Sequence, residues 1–212
     1  MIRLDDKKLV EDNCTVMMKP FSDVTKFHGH ICPGSAIGYK AAEAGLNELK
    51  SHCSQDDEIV AIVENNSCAV DAVQVLTGCT FGNGNLLFKD HGKQVYTFIN
   101  RTTNEGVRVS LNDSFNIDIL APQLEKLRGA VNSGIATDLE KEDLKKMTEE
   151  VSQEILEIPY NKLFHSEPVE MDIPKKASNF KNVKCSKCGE MVSEHKAIKL
   201  EGEITCIPCF KG

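Results

Sequence analysis

Two Cys-x-x-Cys pairs, Cys185 with Cys188 and Cys206 with Cys209, stand 17 residues apart and constrain the fold more than any other feature of the chain. Each pair offers two soft ligands from one tight knuckle, and the four together complete the tetrahedron that zinc prefers. Gly189 follows the first pair and lets the backbone turn beneath the metal. The intervening Glu190–Thr205 is long enough for a hairpin around Glu201-Gly202. A module of about 30 residues cannot build a core alone, so the ion supplies much of its folding energy. All four positions are cysteine, which closes the site and makes this zinc structural.

Most of the 212 residues lie upstream, and 41% hydrophobic content is enough for one sizeable core there. No apolar run approaches the length a spanning helix needs, and Met1–Lys8 has no apolar signal region. Nine cysteines is an odd number; with four assigned to zinc, Cys14, Cys32, Cys53, Cys68 and Cys79 cannot all pair with one another. A metal-binding cytoplasmic protein fits this usage better than a secreted disulfide scaffold. The net charge is −7, but residues 174–212 carry eight Lys and four Glu, so that segment is +4 and the rest −11. An acidic chain without Trp disfavours a primarily nucleic-acid-binding role.

Hydrophobic patterning predicts a helix over 6–24 and a second from Pro33 to about Ser51. The small residues Gly38, Ala41, Ala42, Ala44 and Gly45 of the second would let another backbone come close. Ile59–Val63 reads as a buried strand and Cys68–Thr77 as a short helix ending in a glycine-rich loop. Leu86–Lys89, Val95–Asn100 and Val107–Leu111 read as a meander joined by turns. Pro122 opens a helix to about Val131, and Thr137-Asp138-Leu139-Glu140 is a capping box before a longer one. Pro159, Pro168 and Pro174 break regular structure. The expected division is a domain over 1–165, a linker over 166–182 and the zinc module over 183–212.

His28, His30 and Cys32 alternate in Phe27-His28-Gly29-His30-Ile31-Cys32-Pro33-Gly34. In an extended segment alternate side chains share a side, so the three can converge on one metal. Cys32 precedes a helix N-terminus, where the dipole and free N–H groups favour a thiolate. Cys68 and Asp71 fall one helical turn apart and form a second cluster. Cys79 reads equally as buried thiol or ligand, and Cys14 and Cys53 have no such context. His91 and Lys93 fall in a turn, from which Lys93 can reach an anionic ligand.

These residues resemble a family. The run from Phe27 to Gly38, the run Cys68-x2-Asp71-Ala72-Val73-Gln74-x2-Thr77-Gly78-Cys79-Thr80-x-Gly82-x-Gly84-Asn85, and Asp90-x-Gly92-Lys93 with Tyr96-Thr97-Phe98 look like the E-subunit family of formylmethanofuran dehydrogenase, over roughly 15–135. The four-cysteine module is similar to treble-clef fingers, some of which bind DNA. The resemblance implies an α+β core with helices packed on a mixed sheet, a homodimer, and a metal cleft near the His-x-His-x-Cys segment. It also implies an association with a larger molybdenum or tungsten enzyme of one-carbon metabolism. Asn83 departs from the basic residue expected between the loop glycines.

Three functions follow. In the first, His28, His30, Cys32 and Cys68 hold a divalent metal, zinc or nickel, with an open position; Cys32 and Asp71 take part in redox-associated chemistry. In the second, the same ligands close around the metal in a carrier or sensor without catalysis. In the third, Lys175, Lys176, Lys181, Lys184 and Lys187 meet phosphates; the lack of Arg in the tail speaks against it.

Overall fold

A computed structural model describes residues 18–49, 58–171, 173 and 180–211. It falls into two units, 1–174 and 175–212. Cys14, Cys53, Lys175, Lys176 and most of the helix expected over 6–24 lie outside the described residues.

The centre of the first unit is α2, Pro33–Leu49, and its small residues explain why. A Cβ at Gly38 would lie 2.1 Å from the Ala69 carbonyl oxygen, and one at Gly45 would lie 2.1 Å from the Phe98 ring. Only glycine lets the start of α3, Ala69–Thr77, meet one face of α2 while Phe98 meets another. Ala36, Ala41, Ala42 and Ala44 are fully buried between these contacts. The close approach of backbones that the sequence implied is therefore made on two sides.

Five strands form one mixed sheet in the order β2-β1-β3-β4-β5. They are β1 Ile59–Val63, β2 Leu86–Phe88, β3 Val95–Asn100, β4 Gly106–Leu111 and β5 Phe164–Val169. Same-face neighbours Ala61, Phe98 and Val107, and Val63, Tyr96 and Val109, line up across β1, β3 and β4 and join the core with α2. The mixed α+β architecture is the expected one, with two local corrections.

The stretch 86–111 is not a simple meander. β3 and β4 make a hairpin, but β2 runs parallel to β1 on its far side. The reason lies in residues 89–94, which cross the end of β1. Lys89 donates to the Val63 carbonyl at 2.9 Å, and Lys93 donates to the Glu64 carbonyl at 3.0 Å. With α3 between them, β1 and β2 form a β-α-β unit. The second correction is β5: residues 166–169 pair with β4 instead of opening a linker, and Pro168 stands opposite Val107. Proline is tolerated there because β5 is an edge strand.

Helix α1, Phe21–His28, is held to α2 and α3 at its beginning. Tyr39 donates its hydroxyl to the Lys19 carbonyl at 3.0 Å, and Lys19 Nζ donates to the Val75 carbonyl at 2.8 Å. Past the sheet, α4 Ile117–Leu120, α5 Pro122–Asn132, α6 Asp138–Glu157 and α7 Tyr160–Leu163 follow. The capping box forms: Thr137 Oγ1 accepts from the Glu140 amide at 3.2 Å, and Glu140 Oε2 accepts from the Thr137 amide at 2.8 Å. Val151 and Ile155 of α6 reach the core.

In the second unit, β6 Asn182–Lys184 pairs with β7 Met191–Ser193, and β8 Ile198–Leu200 with β9 Glu203–Thr205; α8 is Ile207–Lys211. Glu201 and Gly202, at φ 49° and 83°, make the predicted tight turn between β8 and β9. Among the described residues no helix is long and apolar enough to cross a membrane.

Candidate metal centres

The C-terminal cluster is built from local structure. Cys185 follows β6, and its amide donates to the Glu190 carbonyl at 2.9 Å, closing a knuckle that Gly189 completes at φ 79°. Cys206 follows β9, and Cys209 lies on α8. The four sulfurs lie within 4.8 Å of one another. Cys188 and Cys206 are 3.9 Å apart, close to the edge of about 3.8 Å that zinc–sulfur bonds of about 2.3 Å give in a tetrahedron. Amides of Cys188 and Cys206 lower the Cys185 thiol to about 6, whereas the neighbouring thiols of Cys206 and Cys188 push Cys209 up to about 12. Crowded thiols resist ionising together, and a divalent cation at their centre removes that resistance.

The N-terminal cluster gathers residues from three helices. Donor atoms of His28, His30 and Cys32 lie within 4.8 Å of one another. The backbone route differs from the extended segment expected. His28 is the last residue of α1, Gly29 turns the chain at φ 90°, and Cys32 immediately precedes Pro33 at the start of α2. A left-handed glycine ending one helix and a proline opening the next bring the three side chains together.

Cys32 sits at the mouth of α2, where the Ser35 amide donates to its sulfur at 3.4 Å. The Ser35 hydroxyl donates to the Cys32 carbonyl at 2.8 Å. Burial opposes ionisation of Cys32, but hydrogen bonds from Ser35, Cys68 and His28 outweigh it and hold the thiol below its ordinary range. Burial also disfavours charge on His28, and the Asp71 carboxylate with the Cys32 thiol overcomes it and raises the imidazole.

His28 Nδ1 donates to Asp71 Oδ2 at 2.7 Å, which leaves Nε2 facing Cys32 Sγ at 3.6 Å. Metal–nitrogen and metal–sulfur bonds of about 2.0 and 2.3 Å at the tetrahedral angle span an edge of about 3.6 Å. Gln74 Nε2 donates to the other Asp71 oxygen at 3.2 Å, so the carboxylate is itself held. Asp71 therefore orients His28 through Nδ1. Cys68 touches Cys32 but stands outside the mutual group of three; burial, then its neighbour Cys32, raises its thiol. A depression of about 570 Å³, lined by Lys26, His30, Ile31, Lys145 and Thr148 among others, opens this cluster to solvent through His30.

Cys79 is not in the cluster. It is fully buried, its thiol donates to the Ile59 carbonyl at 3.2 Å, and burial raises it. The glycine-rich loop closes on itself: Asn85 Oδ1 accepts from the Thr80 amide at 2.9 Å, and Asn83 Nδ2 donates to the Gly78 carbonyl at 3.4 Å. The unexpected residue at 83 thus has a structural task. His91 donates to the buried Glu64 at 2.9 Å instead of projecting from a free tip. Sequence reasoning missed Ser35 and Gln74. Ser35 was detectable as the third helical residue after Cys32, where a cap partner belongs; Gln74 had no such signal.

With both clusters defined, the chain takes its place among known proteins. The family described as "FmdE, Molybdenum formylmethanofuran dehydrogenase operon" matches residues 27–165, and the chain belongs to it. The "Prokaryotic dksA/traR C4-type zinc finger" matches residues 179–212. A relative from Archaeoglobus fulgidus, described as a probable S-adenosyl-L-methionine-binding protein, is 35% identical over 171 residues. That match covers 78% of this chain but only 46% of the relative, so the chain spans about half its length. The crystal structure of an FmdE-like protein of tungsten formylmethanofuran dehydrogenase, from Syntrophus aciditrophicus, has the same fold, with TM-score 0.55 and 23% identity over 92% of this chain and 95% of that one.

Proposed function

We propose that the first unit is a metal-binding module of the FmdE type, with a redox-associated role in one-carbon metabolism, and that the second unit is a structural zinc finger. The observation that carries this reading is the convergence of His28, His30 and Cys32, with His28 turned toward Cys32 by Asp71. Two imidazoles and a thiol suit zinc or nickel. Cys68, beside Cys32, is the thiol available as a fourth ligand. A divalent ion there would supply Lewis acidity toward a carbonyl or water. The chain's own contribution is positional: Ser35 steadies the Cys32 sulfur, Asp71 fixes the His28 tautomer, and the depression beside His30 admits a small ligand. A homodimer, and a place beside a molybdenum or tungsten enzyme, belong to the same proposal.

Metal analysis of the purified chain tests it. About two ions per chain are expected in the wild type, with Cys32→Ser and Cys185→Ser each losing one. A Cys32→Ser variant that keeps the full complement overturns the reading.

The description of the archaeal relative supports a second reading, in which the first unit binds S-adenosyl-L-methionine. Calorimetric titration with that compound tests it, and no measurable heat at millimolar ligand removes it.

A further inference from the structure

We propose that Cys32 and Cys68 form a reversible disulfide, so that the first unit carries an oxidative modification site whose co-reactant is a hydroperoxide. The bond needs only the two thiols. Its consequence, release of a bound ion, rests on the metal reading above.

The packing of α2 on α3 carries the argument. Cys32 stands at the start of α2 and Cys68 at the start of α3. The two helix ends are pressed together where glycine leaves room. A Cβ at Gly34 would lie 3.1 Å from Cys68 Cβ and 3.8 Å from Cys32 Sγ, so both cysteines border the same empty position. Their thiols hydrogen-bond to each other. A disulfide asks for Cβ atoms about 3.5–4.5 Å apart, and two thiols in contact across one missing side chain lie in that neighbourhood. The other described cysteines offer no rival pair in this unit, because Cys79 gives its thiol to the Ile59 carbonyl inside the core. Cys68 is only half-buried, which gives a small oxidant a way in.

The chemistry closes without an external reductant. One sulfur attacks an oxygen of the hydroperoxide, the O–O bond breaks, and water or an alcohol leaves with the thiol proton. The resulting sulfenic acid is attacked by the second sulfur, its S–O bond breaks, and water departs as the S–S bond forms. Two thiols are oxidised by two electrons in all, and the hydroperoxide is reduced by the same two. The product removes a thiolate from the group that includes His28 and His30, leaving two imidazoles to hold any ion.

Full-length protein, zinc-loaded or stripped with chelator, is exposed briefly to hydrogen peroxide, digested without reductant and mapped by mass spectrometry. The expected result in stripped protein is one peptide joining Cys32 to Cys68, lighter by about 2 Da and restored by dithiothreitol. Before that reduction the first unit no longer takes up zinc; after it, uptake returns. In Cys68→Ser the joined peptide is absent and Cys32 proceeds to the sulfinic acid. The inference is overturned if, in the wild type, both thiols survive, or each oxidises singly, or either pairs elsewhere. If the joined peptide forms but the untreated first unit never bound zinc, the metal reading fails and the disulfide stands.

Discussion

The two sulfur-containing clusters are assembled in opposite ways. The four thiols of the finger come from 25 residues of chain and are set by two turns and a short helix. The His28, His30 and Cys32 group, with Asp71 behind it, draws on the ends of three helices up to 43 residues apart. The first depends on its metal to fold, because little else holds its strands. The second depends on the fold to exist, because α2, α3 and the sheet are packed whether or not an ion is bound. Metal should therefore act on structure in one unit and on chemistry in the other.

The largest effect expected from that contrast is at the finger. Cys185→Ser, or chelation, removes a binding free energy on the order of 10–16 kcal/mol and unfolds the module. Amide NMR signals from 181–211 should collapse while those of the sheet stay dispersed. Signals that persist after chelation would abolish the contrast. Next is Gly38→Ala, whose methyl would meet the Ala69 carbonyl oxygen at 2.1 Å. A cost of at least about 1–3 kcal/mol is expected in denaturant melts, with the finger's zinc retained. A neutral melt would mean that α2 and α3 are not so close.

Asp71→Asn keeps the shape but removes the charge that orients His28. Affinity for metal in the first unit should fall about 10–100-fold in competition titrations, with stability little changed. An unchanged affinity would demote Asp71 to a bystander. The smallest effect is Thr137→Ala, which removes the α6 cap and costs about 1 kcal/mol without touching either metal content. Here pH gives a second readout. Hydrogen bonds from Thr137 hold Glu140 below its ordinary range. Its contribution is present above the unfolded value and is lost as pH falls through the folded one, and the variant should lack that acid limb.

The sequence was most readable where one element specifies itself. Pro122, the Thr137–Glu140 box and the β-branched run of β1 each carry their own local signal, and each element formed where it was expected. The finger belongs to this class, since its turn at Glu201-Gly202 and its ligand spacing are local as well. What escaped was decided by partners. β2 looked like the start of a meander because nothing in Leu86–Phe88 reveals that β1 will take its parallel edge. β5 was hidden by Pro168, a residue that reads as a break until β4 lies beside it. The histidines were correctly grouped, but the extended path assumed for them is a helix end, a left-handed glycine and a helix start.

Helix α1 gives this contrast a mechanical side. Eight residues are too few to stay helical alone in water, and this helix is held by Tyr39 and Lys19 at the end opposite His28. The first imidazole is thus cantilevered: its anchorage lies about two turns away, on groups that never approach the ligand atoms. Substitutions that loosen that remote mooring would blur the donor set while leaving every donor in place. Affinity for the ion would then report on how firmly the helix is fastened as much as on the identity of the ligands.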